Sequence, residues 1–184
     1  MKTTRLLLLT IIALSLAPAP ARAKAPAAQG LEMHRQGAGE PDASGWSDAR
    51  STHGGFSVSV PGKFNDFSVH DRAADGTALV AHVVGTRTQD GVKFTALTLV
   101  RADRRVAGDA LETIARKMDG KRKDVKYRGM AGVEVALSSP QSAGVMRVLR
   151  GKDRIYQLIV EYPNAVAASM PENVRRFMES LRVR

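Results

Sequence analysis

The chain contains no cysteine. Disulfides, thiolate metal sites and thiol nucleophiles are excluded, so burial alone must hold the fold. Aromatic residues make up only 5% of the chain, with a single tryptophan. That leaves few stacking platforms for single-stranded nucleic acid. No G-x-S-x-G nucleophile motif occurs. The stretch "QGAGEPDASG" holds Gly37 and Gly39 but lacks the strand-to-helix context of a dinucleotide loop. Acid is in deficit: 18 Asp and Glu face 28 Lys and Arg, for a formal net charge of +10. A basic chain is drawn to anionic surfaces and polymers.

The start of the chain reads as a secretory signal peptide. Lys2 and Arg5 precede the apolar run Leu6 to Ala17, and Ala21-Arg22-Ala23 supplies the small-residue cleavage site. The run is too short to span a bilayer comfortably. Residues 1–23 are therefore expected to be removed after Ala23, leaving a periplasmic or secreted protein. No later stretch is apolar enough to act as a transmembrane segment. Residues 24–45, rich in Ala, Gly and Pro, read as a flexible leader.

Residues 46–184 read as one domain. "GGFSVSVPG" alternates Phe56, Val58 and Val60 against Ser57 and Ser59, a half-buried strand stopped by Pro61-Gly62. "FNDFSVHDR" is a weaker strand. Asp75-Gly76 and Asp90-Gly91 set hairpin turns around "ALVAHVVGT" and "VKFTALTLV", which predicts an antiparallel meander. "GDALETIARKMDG" places Leu111, Ile114, Ala115 and Met118 on one helical stripe, capped by Asp109 and stopped by Gly120. Val133, Val135 and Leu137 alternate in the next strand. "GVMRVLRGKDRIYQLIVEY" gives two strands around Gly151-Lys152-Asp153. A closing helix carries Val174, Phe177, Met178 and Leu181, with Ser169 and Glu172 as a capping box. The expected fold class is α+β: a central antiparallel sheet of about six strands flanked by helices.

Four segments carry a family likeness: "GGFSVSVPGKF", "GMAGVEV", "GVMRVLRGKDRIYQLIVEYP" and "VRRFMESLRV". In this order they resemble the PsbP-like family, whose namesake is an extrinsic protein of photosystem II. A yeast nuclear Ran-binding protein shares that fold. The resemblance spans roughly Trp46 to Arg184 and is most specific in the closing half. It implies a sheet between helices and a non-catalytic accessory or partner-binding role. It implies no reaction and no site residue.

The residues themselves point to no catalytic, metal or cofactor set. His34 falls in the leader, and His53 precedes the first strand. His70 and His82 lie on neighbouring strands, with His70 expected opposite Val80 or Ala81 and not His82. Ser138, Ser139 and Ser142 read as turn residues around Pro140. Glu134 and Glu161, on strands, are expected in cross-strand ion pairs, with Arg147, Arg150 or Arg154 as partners. The strongest remaining signal is basic: Arg116, Lys117, Lys121, Arg122 and Lys123 surround the end of the first predicted helix. They suit the helix dipole, and they also suit an anionic partner. An unknown protein or an anionic envelope component fits better than nucleic acid. A small-ligand or lipid carrier with a pocket between sheet and helix is the alternative, and an enzyme of unknown reaction is the second.

Overall fold

The computed structural model describes residues 30–72, 76–103 and 122–184. The first strands are β1 (Gly30–Ala38), β2 (Trp46–Arg50), β3 (Phe56–Pro61), β4 (Phe64–Arg72), β5 (Ala78–Arg87) and β6 (Lys93–Arg101). Then follow β7 (Arg122–Tyr127), β8 (Met130–Ser138), β9 (Ser142–Arg150) and β10 (Ile155–Pro163). A 3-10 turn (Asn164–Ser169), helix α1 (Met170–Glu179) and the short β11 (Arg182–Val183) complete the described chain.

Eight strands form one sheet in the order β1-β4-β5-β6-β10-β9-β8-β7, and β11-β3-β2 form a second. Neighbouring strands are antiparallel throughout. Strands β4, β5 and β6 are neighbours in order, the predicted meander, with Gly76 and Gly91 in its two links. Gly76 and Gly91 take φ of 82° and 85°, which a tight turn demands and glycine allows at low cost.

The expected helix-flanked sheet of about six strands is not what forms. The described chain is β-dominated, and the layer facing the large sheet is mainly a second sheet. The "GGFSVSVPG" strand is the reason. It pairs with β2 and β11 instead of joining the large sheet, so Phe56, Val58 and Val60 point inward from their own layer. The helix expected over Asp109–Gly120 lies outside the described residues.

The leader expectation also needs correcting. Gly30–Ala38 is a strand, paired with β4 from Gly30↔His70 to Ala38↔Phe64. Its only large apolar side chains, Leu31 and Met33, are exposed. Polar contacts hold it instead. Arg35 reaches Asp66, His34 meets Ser68, and the Gly37 N–H donates to the Asn65 side chain at 2.9 Å.

The main core lies between one face of the large sheet and the layer of β2, β3, β11 and α1. Phe94 packs edge-on against Trp46 and Phe177, with ring centroids 5.8 and 5.4 Å away. Leu158, Val160, Phe177 and Leu181 are fully enclosed. Tyr156, Leu158 and Val160 share this face, since every second residue of a strand points the same way. Helix α1 has no capping box. The 3-10 turn runs straight into it, so Ser169 is already helical and its hydroxyl donates to Val166 O. Glu172 pairs with Arg175, at i+3, and Arg175 also reaches Glu179.

Candidate functional site

The structure scatters the basic residues read from the sequence. Arg116, Lys117 and Lys121 lie outside the described residues. Arg122 and Lys123 are exposed on β7, an edge strand, and Arg122 pairs with Asp124 at 3.1 Å. Glu134 faces Arg147 directly across β8 and β9 and pairs with it at 2.6 Å, the expected cross-strand pair. Glu161 instead finds Lys93 at 4.0 Å. Ser139 accepts from the Gln141 and Ser142 N–H groups, which is turn chemistry. His70 stands opposite Val80, as expected.

A different basic site appears where three chain segments meet. A cleft of about 820 Å³ opens between the β7–β8 turn, the β9–β10 turn and the chain after β11. Four cationic side chains line it: Arg128, Lys152, Arg154 and Arg184. Asp153 is the one carboxylate side chain among the lining residues. Met130, Tyr156 and Val183 supply apolar surface. Burial pushes the Tyr156 hydroxyl pKa up and so keeps it neutral, with Asp153 adding to the effect and Arg154 opposing it.

Arg128 sits there against its backbone preference. Tyr127 pairs with Met130, so Arg128-Gly129 is a two-residue hairpin turn with φ of 47° and 84°. Such turns favour Asn-Gly. Arg128 is the one non-glycine residue with positive φ among the described residues. Its guanidinium lies 5.5 Å from the Tyr127 ring centroid and donates to the Tyr127 hydroxyl. Arg154 is clamped by both Asp153 oxygens and donates to Gly54 O at 3.3 Å. The Arg184 N–H donates to Gly55 O at 3.0 Å. The Ser51–Gly55 turn thus holds two of the four cationic residues.

On its other side that turn faces a cluster holding all four histidines of the chain. The His34 ring stands edge-on to His53 at 4.6 Å, and His53 lies 5.9 Å from His82. Ser68 bridges His34 Nε2 at 2.7 Å and His82 Nδ1 at 2.8 Å. Glu32 reaches His34 Nδ1 at 3.7 Å and His70 Nε2 at 3.3 Å. Beside them the buried Asp66 carboxylate accepts from Arg35, from the Thr52 N–H and hydroxyl, and from the Ser51 hydroxyl.

Serine, histidine and carboxylate in line evoke a hydrolytic triad. The burial argues otherwise. Ser68 is 1% exposed, so no substrate carbonyl can reach its oxygen. Its single hydroxyl proton is also shared between two imidazoles: where Ser68 donates to one ring, the other must donate to it. The hydroxyl fixes two tautomers against each other. No three His, Asp or Glu side chains converge as metal ligands among the described residues.

Sequence reasoning missed both features for one reason: each gathers residues far apart in the chain. The Arg128-Gly129 pair, just ahead of the apolar alternation of β8, was the one local signal of the cleft.

No family model matches the chain. No curated protein matches it. The chain is similar to a cyanobacterial PsbP. The solution structure of that protein (CyanoP), from a Synechocystis species, covers 89% of this chain and 98% of its own at 12% identity, with a TM-score of 0.45. That Synechocystis protein carries the name of the family that the sequence segments resemble. No residue or role is carried over from it.

Proposed function

We propose that this is an exported, non-catalytic accessory protein that holds an acidic segment of a partner protein in the basic cleft. One observation carries the reading: four cationic side chains from three separate chain segments converge on one apolar-floored concavity. Arginine forks bind carboxylates through paired, charge-assisted hydrogen bonds. A concave site with an apolar floor and few polar anchors is the usual form of a binding pocket. The concavity favours an inserted segment over a flat lipid surface. Export rests on the signal sequence alone, and the periplasm or the medium is the proposed location.

The basic run Arg116, Lys117, Lys121, Arg122 and Lys123 is a second candidate contact for the same partner. Arg122 and Arg128 bracket β7, so these two arginines sit roughly 20 Å apart along the strand. A carrier pocket between sheet and helix is not favoured, because Leu158, Val160, Phe177, Met178 and Leu181 fill that boundary.

The test is fluorescence anisotropy with a labelled peptide of alternating Asp and Leu. Arg128→Glu combined with Lys152→Glu should abolish binding, and salt should weaken it. Retention on phosphatidylglycerol vesicles with no peptide binding would replace this reading by a lipid one. Amino-terminal sequencing of protein from a periplasmic fraction should begin at Lys24, and intact Met1 would reject export with cleavage.

A further inference from the structure

We infer that the four-histidine cluster makes the cleft pH-dependent, releasing the anionic partner in mild acid; this rests on the anion-binding reading above. The coupling element is the Ser51–Gly55 turn. His53 leans from it onto His34 and His82. The next two residues, Gly54 and Gly55, offer the carbonyls that hold the Arg154 side chain and the Arg184 backbone. A backbone shift at His53 therefore reaches the anchors of two of the four cationic residues in the cleft.

The charges around the cluster come from every element packed there. Strand β1 gives Glu32, His34 and Arg35, and β4 gives Asp66 and His70. His82 comes from β5, His53 from the turn, and Arg154 from the β9–β10 turn. Glu32, Asp66 and Asp153 are the carboxylates placed against these groups among the described residues; Asp66 is already engaged by Arg35 and Asp153 by Arg154. Burial, then the charges of His53, His34, His70 and Arg154, hold the His82 pKa below its ordinary 6.5. The folded arrangement thus favours the uncharged form of His82. As pH falls below the ordinary imidazole range, a proton on half-buried His82 adds positive charge beside Arg154 and the other rings. Strain is relieved by moving the exposed His53 outward, and Gly54 and Gly55 go with it.

Two effects on an anion oppose each other. Extra positive charge attracts it, while loss of the two carbonyl anchors frees the Arg184 backbone and leaves Arg154 held by Asp153 alone. The anchors bond the Arg154 guanidinium and the Arg184 backbone directly, and in this inference release dominates.

The experiment measures the Asp-Leu peptide at pH 7.5 and 5.5 in 0.15 M salt. Aspartate keeps its charge across this range, since its unperturbed pKa is about 3.9. Wild-type affinity should fall at least fivefold on acidification, and His53→Gln and His82→Gln should flatten the dependence. Equal or tighter binding at pH 5.5 overturns the inference and leaves the cleft reading intact; no binding at pH 7.5 sinks the cleft reading itself. A readout without ligand tests the coupling separately. The Arg184 amide NMR signal should shift between the two pH values in wild type and stay still in His53→Gln. A signal unmoved in wild type overturns the coupling.

Discussion

Asp66 offers the sharpest test of how strand β1 and the Ser51–Gly55 turn are held. Its carboxylate is 0% exposed. Oδ2 accepts from Arg35 Nε at 3.1 Å, from Arg35 NH2 at 2.8 Å, and from the Thr52 N–H and hydroxyl at 2.9 and 2.5 Å. Oδ1 accepts only from the Ser51 hydroxyl, at 3.4 Å. This asymmetry separates two substitutions. Asp66→Asn can keep a carbonyl oxygen where Oδ2 was and turn its amide toward the Ser51 hydroxyl, which can accept. It loses charge but few contacts, and hydrogen bonds to a charged group are roughly twice as strong as neutral ones. The expected cost is about 1–2 kcal/mol. Asp66→Ala strips every acceptor from buried donors. The Arg35 side chain is 38% exposed and recovers water, so the cost should fall at the low end of the range for breaking a buried pair, about 3 kcal/mol. For a chain of this size that lowers Tm by roughly 6–12 °C. Urea unfolding followed by Trp46 fluorescence reads both, because Trp46 is the single tryptophan and is buried in the core.

The pH dependence adds a second arm. Burial alone would raise the Asp66 pKa, but the Thr52 hydroxyl, Arg35 and the Thr52 N–H together hold it below the ordinary 3.8. The folded state therefore binds the proton less readily than the unfolded chain. This stability is fully present above pH 3.8 and is lost as pH falls through the folded value. Asp66→Asn should remove that acid limb. Equal costs for the Asn and Ala variants, or less than 1 kcal/mol for Ala, would refute the account of this carboxylate.

Other variants test other layers. Arg128→Gly should leave stability unchanged or raise it by up to about 1 kcal/mol in chemical unfolding, because relief of the left-handed backbone offsets the lost Tyr127 contact. The same variant should weaken peptide binding at least threefold; a clear destabilisation would make Arg128 a folding residue. Leu158→Ala should cost about 2–5 kcal/mol in the same assay, and a loss under 1 kcal/mol would place Leu158 outside the core. Gly144→Ala brings a Cβ to 2.3 Å from the Val160 carbonyl oxygen. Backbone must shift, so a loss of about 2 kcal/mol or more is expected, and a neutral result would contradict the close β9–β10 packing.

The strands legible in the sequence were those with a buried face and a turn signal. Tyr156, Leu158 and Val160 alternate because one face of β10 meets α1, and Asp-Gly marks the meander. Glu134 and Arg147 were readable because strand register brings opposite charges together. Strand β1 was not readable, since "GLEMHRQGA" carries no core alternation and is held by polar side chains. The β7 segment "RKDVKY" reads as a charge run because it is an edge strand with a single neighbour. The second layer escaped notice because alternation says which residues are buried and not which sheet they join. The cleft and the histidine cluster are products of topology. His34, His53 and His82 meet only after β1, β4 and β5 align, and each cleft cation alone looks like a solvated turn residue.

The central claim is that the cleft binds an anionic segment. Its most direct test is the affinity of the Asp-Leu peptide at pH 7.5, measured across a salt series for wild type and for Arg128→Glu with Lys152→Glu. Saturable wild-type binding that weakens steadily with salt and vanishes in the double variant is the predicted result. Binding that survives the double charge reversal, or that ignores salt, would contradict it.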